Sequence, residues 1–198
     1  MGESKDLFWR ALCGDLRQSL RARPKTLEVF EKPSLFTRLA ETGDLEFAQA
    51  LLLRISAARS SGDAGFWSST EICEAALSGA VRCHELYIVQ DAHHRRLGLY
   101  RLAESDVEYW PDHDDGSALY LHKLAVEPAW RGKGFARFVV EQSKGQARIL
   151  KRRFLRLDYR RDREKLGVLY RGLGFVPHSV VEVHGGTDSV RMQMRVDD

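Results

Sequence analysis

Apolar side chains recur at helical spacing at Leu7, Phe8, Leu12, Leu16 and Leu20, and Pro24 and Pro33 then interrupt the pattern. Residues 1–33 therefore read as an N-terminal helical extension with an irregular connector, set apart from a domain over 34–198. Ser34–Ala40 reads as a strand. Thr42, Gly43 and Asp44 supply turn and N-cap residues before Leu45, Phe47, Ala48, Leu51, Leu52 and Ile55, so a long helix is predicted from about Asp44 to Arg59. Ser60–Gly65 is a loop, and Ser69 or Thr70 with Glu71–Leu77 starts a second, shorter helix ending near Gly79.

Beyond Gly79 the period becomes strand-like. Glu85–Gln90 and Leu97–Leu102 flank the polar turn Asp91–Arg96 as a hairpin, and an ordered acidic loop containing Trp110 and Pro111 follows. Ala118–Val126 is nearly continuous in apolar content, the mark of a central strand. A glycine turn opens a helix over Arg131–Leu150, Phe154–Tyr159 is a further strand, and Lys165–Leu173 is a last helix. Phe175–Val183 and Ser189–Val196 alternate around His184–Asp188 as a closing hairpin. Strands alternating with helices predict an α/β domain, and 198 residues suit one such domain rather than two.

Composition adds mainly exclusions. Cys13, Cys73 and Cys83 are odd in number and lack C-x-x-C spacing, which argues against a disulfide framework or a zinc ribbon and predicts a reducing compartment. No apolar run approaches a bilayer span, and the residues from Glu3 onward are charged with no signal-peptide h-region; a cytoplasmic protein is expected, with no membrane partner. The net charge of +3 conceals segregation. Arg131–Arg171 holds 14 Lys or Arg against 4 Asp or Glu, whereas Glu104–Asp115 holds 6 acidic side chains and no Lys or Arg.

Chemistry concentrates where a strand, a glycine turn and a helix follow in succession: Leu124, Ala125 and Val126, then Arg131, Gly132, Lys133, Gly134, Phe135, Ala136 and Arg137. Amides at a helix start lack intrahelical acceptors, and the helix dipole favours an anion there. Glycine lets the backbone approach a phosphate, and Arg131, Lys133 and Arg137 add positive charge, so the segment reads as a pyrophosphate cradle. It is neither a Walker loop nor a dinucleotide fingerprint, since position 137 is Arg where the latter needs a third small residue.

Arg131, Gly134 and Ala136 fit the R/Q-x-x-G-x-G/A pattern, and Tyr170-x-x-x-Gly174-Phe175 falls at the expected place downstream. In these motifs and their order the chain resembles the Gcn5-related N-acetyltransferase (GNAT) family over roughly Ser34–Val196. The resemblance implies a mixed sheet splayed between its fourth and fifth strands and flanked by helices. It implies acetyl-CoA as acyl donor, no metal, and direct transfer of the acetyl group to a primary amine of a small molecule or peptide. The donor's pantetheine arm would pair with Leu124–Val126 opposite Tyr159, and 131–137 would hold the pyrophosphate. Tyr170 matches the tyrosine near the coenzyme sulfur, suited to protonate or hydrogen-bond the leaving thiolate, with a core aromatic on an amphipathic helix as the plainer reading. His122 occupies a strand position where relatives often carry a carboxylate base, and an imidazole titrating near about 6.5 suits that role; a purely structural histidine is the competing reading, and Asp158, Glu127 and a water chain are further base candidates. The family's Asn seven residues before the tyrosine is Arg163 here, which leaves either a phosphate contact by Arg163 or an arm held by backbone and Asp158.

The acceptor side is less patterned. The acidic run with Tyr109 and Trp110, together with Trp67 and Phe66, forms an anionic, aromatic rim that favours a cationic amine, against a solvated loop with an aromatic plug as the plainer alternative. Lys151–Arg153 and Arg160–Arg161 lack an aromatic stacking platform, so nucleic acid is not the expected partner. A non-catalytic coenzyme-binding or regulatory module is the alternative function, and the N-terminal extension caps the domain, covers the cleft or mediates homodimerisation.

Overall fold

The computed structural model describes residues 34–57, 67–113, 115–183 and 187–196. The expected N-terminal helix, the loop 60–65, Phe66 and the turn around residue 185 lie outside the described residues. Among the described residues seven strands form one sheet: β1 (Leu35–Leu39), β2 (Leu86–Asp91), β3 (Arg96–Ala103), β4 (Ala118–Val126), β5 (Phe154–Arg160), β6 (Val176–Val183) and β7 (Thr187–Arg195), in the order β1-β2-β3-β4-β5-β7-β6. All neighbours are antiparallel except β4 and β5.

Alternation along the strands explains why helices cover both faces. Ile88 and Leu99 face α1 (Leu45–Ala57) and α2 (Glu74–Arg82) in one apolar cluster; Leu119, Leu155 and Leu157 face α3 (Phe135–Ile149) and α4 (Glu164–Gly172) in another. A third, small cluster of Trp110, Ala118 and Tyr120 lies under the loop that joins β3 to β4. Among the described residues no helix is long and apolar enough to cross a membrane.

Two helix starts differ from expectation, each for a local reason. α2 begins at Glu74 because Ser68–Glu71 satisfies its own polar groups first: the Ser68 amide and hydroxyl both donate to the Glu71 carboxylate at 2.8 Å. It then runs through Gly79 to Arg82. α3 begins at Phe135 rather than Arg131 because Gly132 and Gly134 take left-handed φ angles of 74° and 82°, which break the helical path.

Candidate functional site: an open gap between two parallel strands

β4 and β5 pair only at Ala118–Phe154, Leu119–Leu155 and Tyr120–Arg156. Past that point each strand stays bonded to its outer neighbour, β4 to β3 as far as Val126 and β5 to β7 as far as Arg160, while their inner edges diverge. Backbone groups on two facing edges are thereby left for an extended ligand to pair with.

β4 also carries a bulge. Leu99 and Arg101 on β3 face Ala125 and His122, so three steps on β4 oppose two on β3, and Lys123 takes a φ of 50°. The extra residue inverts the alternation. Leu119 and Leu121 pack toward α3 and α4, whereas after the bulge Ala125 packs toward α1 and α2, and Leu124 and Val126 turn toward α3 and α4. His122 stays on the Tyr120 side.

A cavity of about 740 Å³ opens at the divergence, walled by Trp67, Glu71, Tyr109, Leu124, Arg163 and Tyr170 among others. His122 and Asp158 meet inside it, each two residues beyond the last paired couple, Tyr120 and Arg156. The imidazole Nδ1 lies 3.9 Å from Asp158 Oδ1 and Nε2 lies 3.4 Å from Asp106 Oδ2. Ser189 donates its hydroxyl to Asp158 Oδ2 at 2.8 Å, and the Tyr109 amide donates to Asp106 Oδ1 at 3.1 Å. Burial disfavours charge on all three groups: it pushes Asp106 up to about 6 and Asp158 up to about 7, and His122 down to about 3. Tyr170 is buried near the same carboxylate, which raises its hydroxyl above the ordinary phenol value and keeps it protonated at neutral pH.

Lys123 reaches the opposite wall, its Nζ 3.5 Å from Glu71 Oε1 and 5.8 Å from the centre of the Trp67 ring. Burial lowers its pKa. Lys123, Glu71 and Ser189 were not singled out by sequence reasoning. No motif marks them, because they come from three separate elements.

At the gap's outer end, Gly132 and Gly134 lie in the exposed turn between the short 3₁₀ turn Pro128–Trp130 and α3. A Cβ on either would meet nothing within 4 Å; the glycines are required by backbone angle and leave open space over the turn. Phe138 donates to the Gly134 carbonyl, so the amides of 135–137 have no acceptor in the first turn of α3. Phe135 anchors the turn by packing where Gly98 lacks a side chain: a Cβ there would sit 2.4 Å from the Phe135 ring. Lys133 extends over the Trp130 ring at 5.1 Å, and Arg131 and Arg137 are exposed.

The structure brings most of the sequence-predicted residues to this region. Trp67, Tyr109, His122, Leu124, Asp158, Arg163 and Tyr170 line the cavity, and 131–137 form the exposed turn. Ala125 faces the α1–α2 core, and Val126 packs toward the α3–α4 cluster; neither side chain lines the cavity. Trp110, expected on the acceptor rim, is fully buried instead, with the guanidinium carbons of Arg156 and Arg191 each 5.0 Å from its ring centre. It is the aromatic plug of its loop. Arg163, for which a phosphate contact is one of the two alternatives, is only 5% exposed and belongs to the cavity wall with Tyr170. The acidic run divides likewise: Asp106 and Glu108 line the cavity, whereas Glu104 pairs with Arg152 and Asp112 with Arg191.

Residues 56–177 match the family described as acetyltransferase (GNAT) domain. No curated protein matches the chain. Among solved structures, the spermidine N-acetyltransferase of Vibrio cholerae in complex with CoA and spermine is 22% identical, covering 82% of this chain and 95% of its own, with a TM-score of 0.58. A GNAT-family acetyltransferase of Listeria monocytogenes is 16% identical, with coverages of 81% and 94% and a TM-score of 0.64. A putative acetyltransferase of Salmonella typhimurium with acetyl-CoA is 14% identical, with coverages of 83% and 95% and a TM-score of 0.62. At these identities the likeness is one of fold.

Proposed function

Since the chain belongs to the GNAT acetyltransferase family, matching it over more than half of its length, we propose that it moves an acetyl group from acetyl-CoA directly onto a primary amine. The observation that carries this reading is the divergence of β4 and β5 after Tyr120 and Arg156, with titratable side chains gathered at its inner end and a glycine turn at its outer end. The pantetheine arm pairs with the free inner edges. The diphosphate sits on the amides of 135–137, with Lys133, Arg131 and Arg137 around it. A backbone amide of Leu124–Val126, just past the bulge, polarises the thioester carbonyl.

The substrate ammonium first loses a proton to the cluster of His122 and Asp158. Its nitrogen then bonds to the acetyl carbon, the C–S bond breaks, and the thiolate takes the Tyr170 proton. Of the two protons lost by nitrogen, one ends on the thiol by way of Tyr170 and one reaches solvent. Glu108, Tyr109 and Trp67 on the acceptor wall favour a cationic amine, although Lys123 already engages Glu71. The spermine-bound relative is consistent with an amine acceptor.

The test is thiol release from acetyl-CoA across polyamines, aminoglycosides, peptide amines and acidic or neutral acceptors. Release with cationic amines is expected. Activity confined to acidic or neutral acceptors overturns the cationic preference, and coenzyme binding without release on any acceptor overturns the transferase reading in favour of a binding module.

A further inference from the structure

The three groups at the inner end of the gap, Asp106 buried and the other two half-buried, come from three elements: Asp106 from the loop after β3, His122 from β4 and Asp158 from β5. The carboxylates do not crowd one side of the ring. Asp106 faces Nε2 and Asp158 faces Nδ1, so the imidazole stands between them. Asp106 Oδ1 is fixed by the Tyr109 amide, and Oδ2, buried, makes no hydrogen bond among the described residues and lies 3.4 Å from Nε2. A buried acceptor left open in this way is costly unless a neighbouring donor turns to it.

We infer that Asp106 is a positioning residue that holds the His122 proton on Nε2, making Asp106, His122 and Asp158 a single proton relay across the strand divergence. The inference rests on the acetyltransferase reading for its chemistry, not for its geometry. An amine proton arrives on the Asp158 carboxylate and passes to His122 Nδ1, 3.9 Å away, through one bridging water or as the two side chains close in the loaded site. The Nε2 proton passes to Asp106 and leaves beside exposed Ser105 and Glu108. One proton enters and one departs; the ring is left as the Nδ1–H tautomer and returns to Nε2–H by proton exchange with water before the next turnover.

The groups facing His122 set the pH behaviour. Arg101 lies opposite on β3, Lys123 is adjacent on β4, Asp106 and Tyr109 come from the loop, and Asp158 comes from β5. Arg101 is engaged by Glu85 at 2.7 Å. The Asp106 charge raises the Asp158 pKa, as do Glu108 and Glu71. Removing the Asp106 charge therefore moves the acid limb of kcat/KM, set by Asp158 ionisation, to lower pH.

In Asp106→Asn, kcat/KM for the acceptor should fall roughly 10- to 100-fold, with KM for acetyl-CoA within about twofold and the acid limb displaced downward. Asp106→Glu should restore the limb toward its original position. An unmoved limb in Asp106→Asn overturns the inference even if activity drops, because a merely structural role lowers activity at every pH. Imidazole ¹⁵N spectra of the unmutated protein give an answer independent of turnover and of whether the variant folds. A His122 ring that stays neutral in its Nε2–H form between pH 5 and 8 supports the relay, and one that titrates as an ordinary imidazole overturns it. A stoichiometric divalent ion in the purified protein, lost together with activity on chelation, overturns it as well. Absence of transfer to every amine would instead remove the acetyltransferase reading and leave the spectroscopic test standing.

Discussion

The donor end of the gap and its acceptor end solve opposite electrostatic problems with different materials. At the turn 131–137 the chemistry is backbone: amides aligned by α3, two glycines in left-handed angles, and exposed cations that add a diffuse field. At the inner end it is side chain: two carboxyls and an imidazole partly withdrawn from water, with one ligand atom of each within 4.8 Å of the others. Exposed charges at the first site are worth little singly. Buried ones at the second shift one another strongly. Substitutions should therefore be severe at the inner end and mild at the outer.

Asp158→Asn is the sharpest way to break this contrast. Losing the proton acceptor should lower kcat by roughly 10²–10⁴-fold, with coenzyme affinity retained, as read by steady-state kinetics beside CoA titration calorimetry. Stability should move the other way. The Asp158 pKa is raised to about 7 in the folded chain from an ordinary carboxylate value of 3.8, so the folded state holds a proton that the unfolded state has lost. Its contribution to stability is thus greatest at low pH and declines as pH rises through that window. The variant should melt above the unmutated protein at pH 8 and level with it at pH 4. An intact kcat would return the base role to His122 alone.

Next in size is Trp110→Ala. Truncating this fully buried indole removes its contacts with the Arg156 and Arg191 guanidiniums and opens a cavity, at a cost of about 3–5 kcal/mol in denaturant unfolding. Because the side chain does not line the acceptor wall, KM for the amine should change far less than after Tyr109→Ala. A reversed ranking would put the indole back in the acceptor site, where its place beside Tyr109 in an acidic run had suggested it.

That misplacement marks how far the sequence could be read. The glycine turn, the strand Ala118–Val126 and Tyr170 were legible because each is specified within one short segment, by backbone angle, apolar content or motif. The meeting of His122 with Asp158 follows from strand pairing that ends at Tyr120 and Arg156, a fact about two segments far apart in the chain. Asp106 and Trp110 were visible as members of an acidic, aromatic run, but alternation along a loop does not tell which side chain turns inward. The bulge at Lys123 hid for the same reason: no glycine announces its positive φ, so the strand's change of face is invisible in the apolar pattern.

Tyr170→Phe should have an intermediate effect. The hydroxyl is held protonated by burial and by Asp158, so it is suited to donate and not to accept at neutral pH. Since a thiolate departs readily, its loss should lower kcat by about 10- to 100-fold, toward the lower end of acid catalysis, and the decrement should shrink for an acyl donor with a more acidic thiol. A constant decrement across donors would make Tyr170 a packing residue against Tyr159 and Phe175, whose ring centres lie 6.0 Å from its own.

The smallest effect belongs to the outer end. Lys133 is exposed, with its ammonium over the Trp130 ring, and Arg131 and Arg137 stand nearby to share its work. Lys133→Ala should weaken CoA binding only about two- to fivefold, and the difference should fade in high salt as screening removes a contribution that depends on distance. Desulfo-CoA should lose the same factor, whereas pantetheine, which has no diphosphate, should lose none. A loss of a hundredfold or more, insensitive to salt, would mean that Lys133 is a dedicated phosphate ligand and that the outer end, like the inner, depends on one fixed side chain.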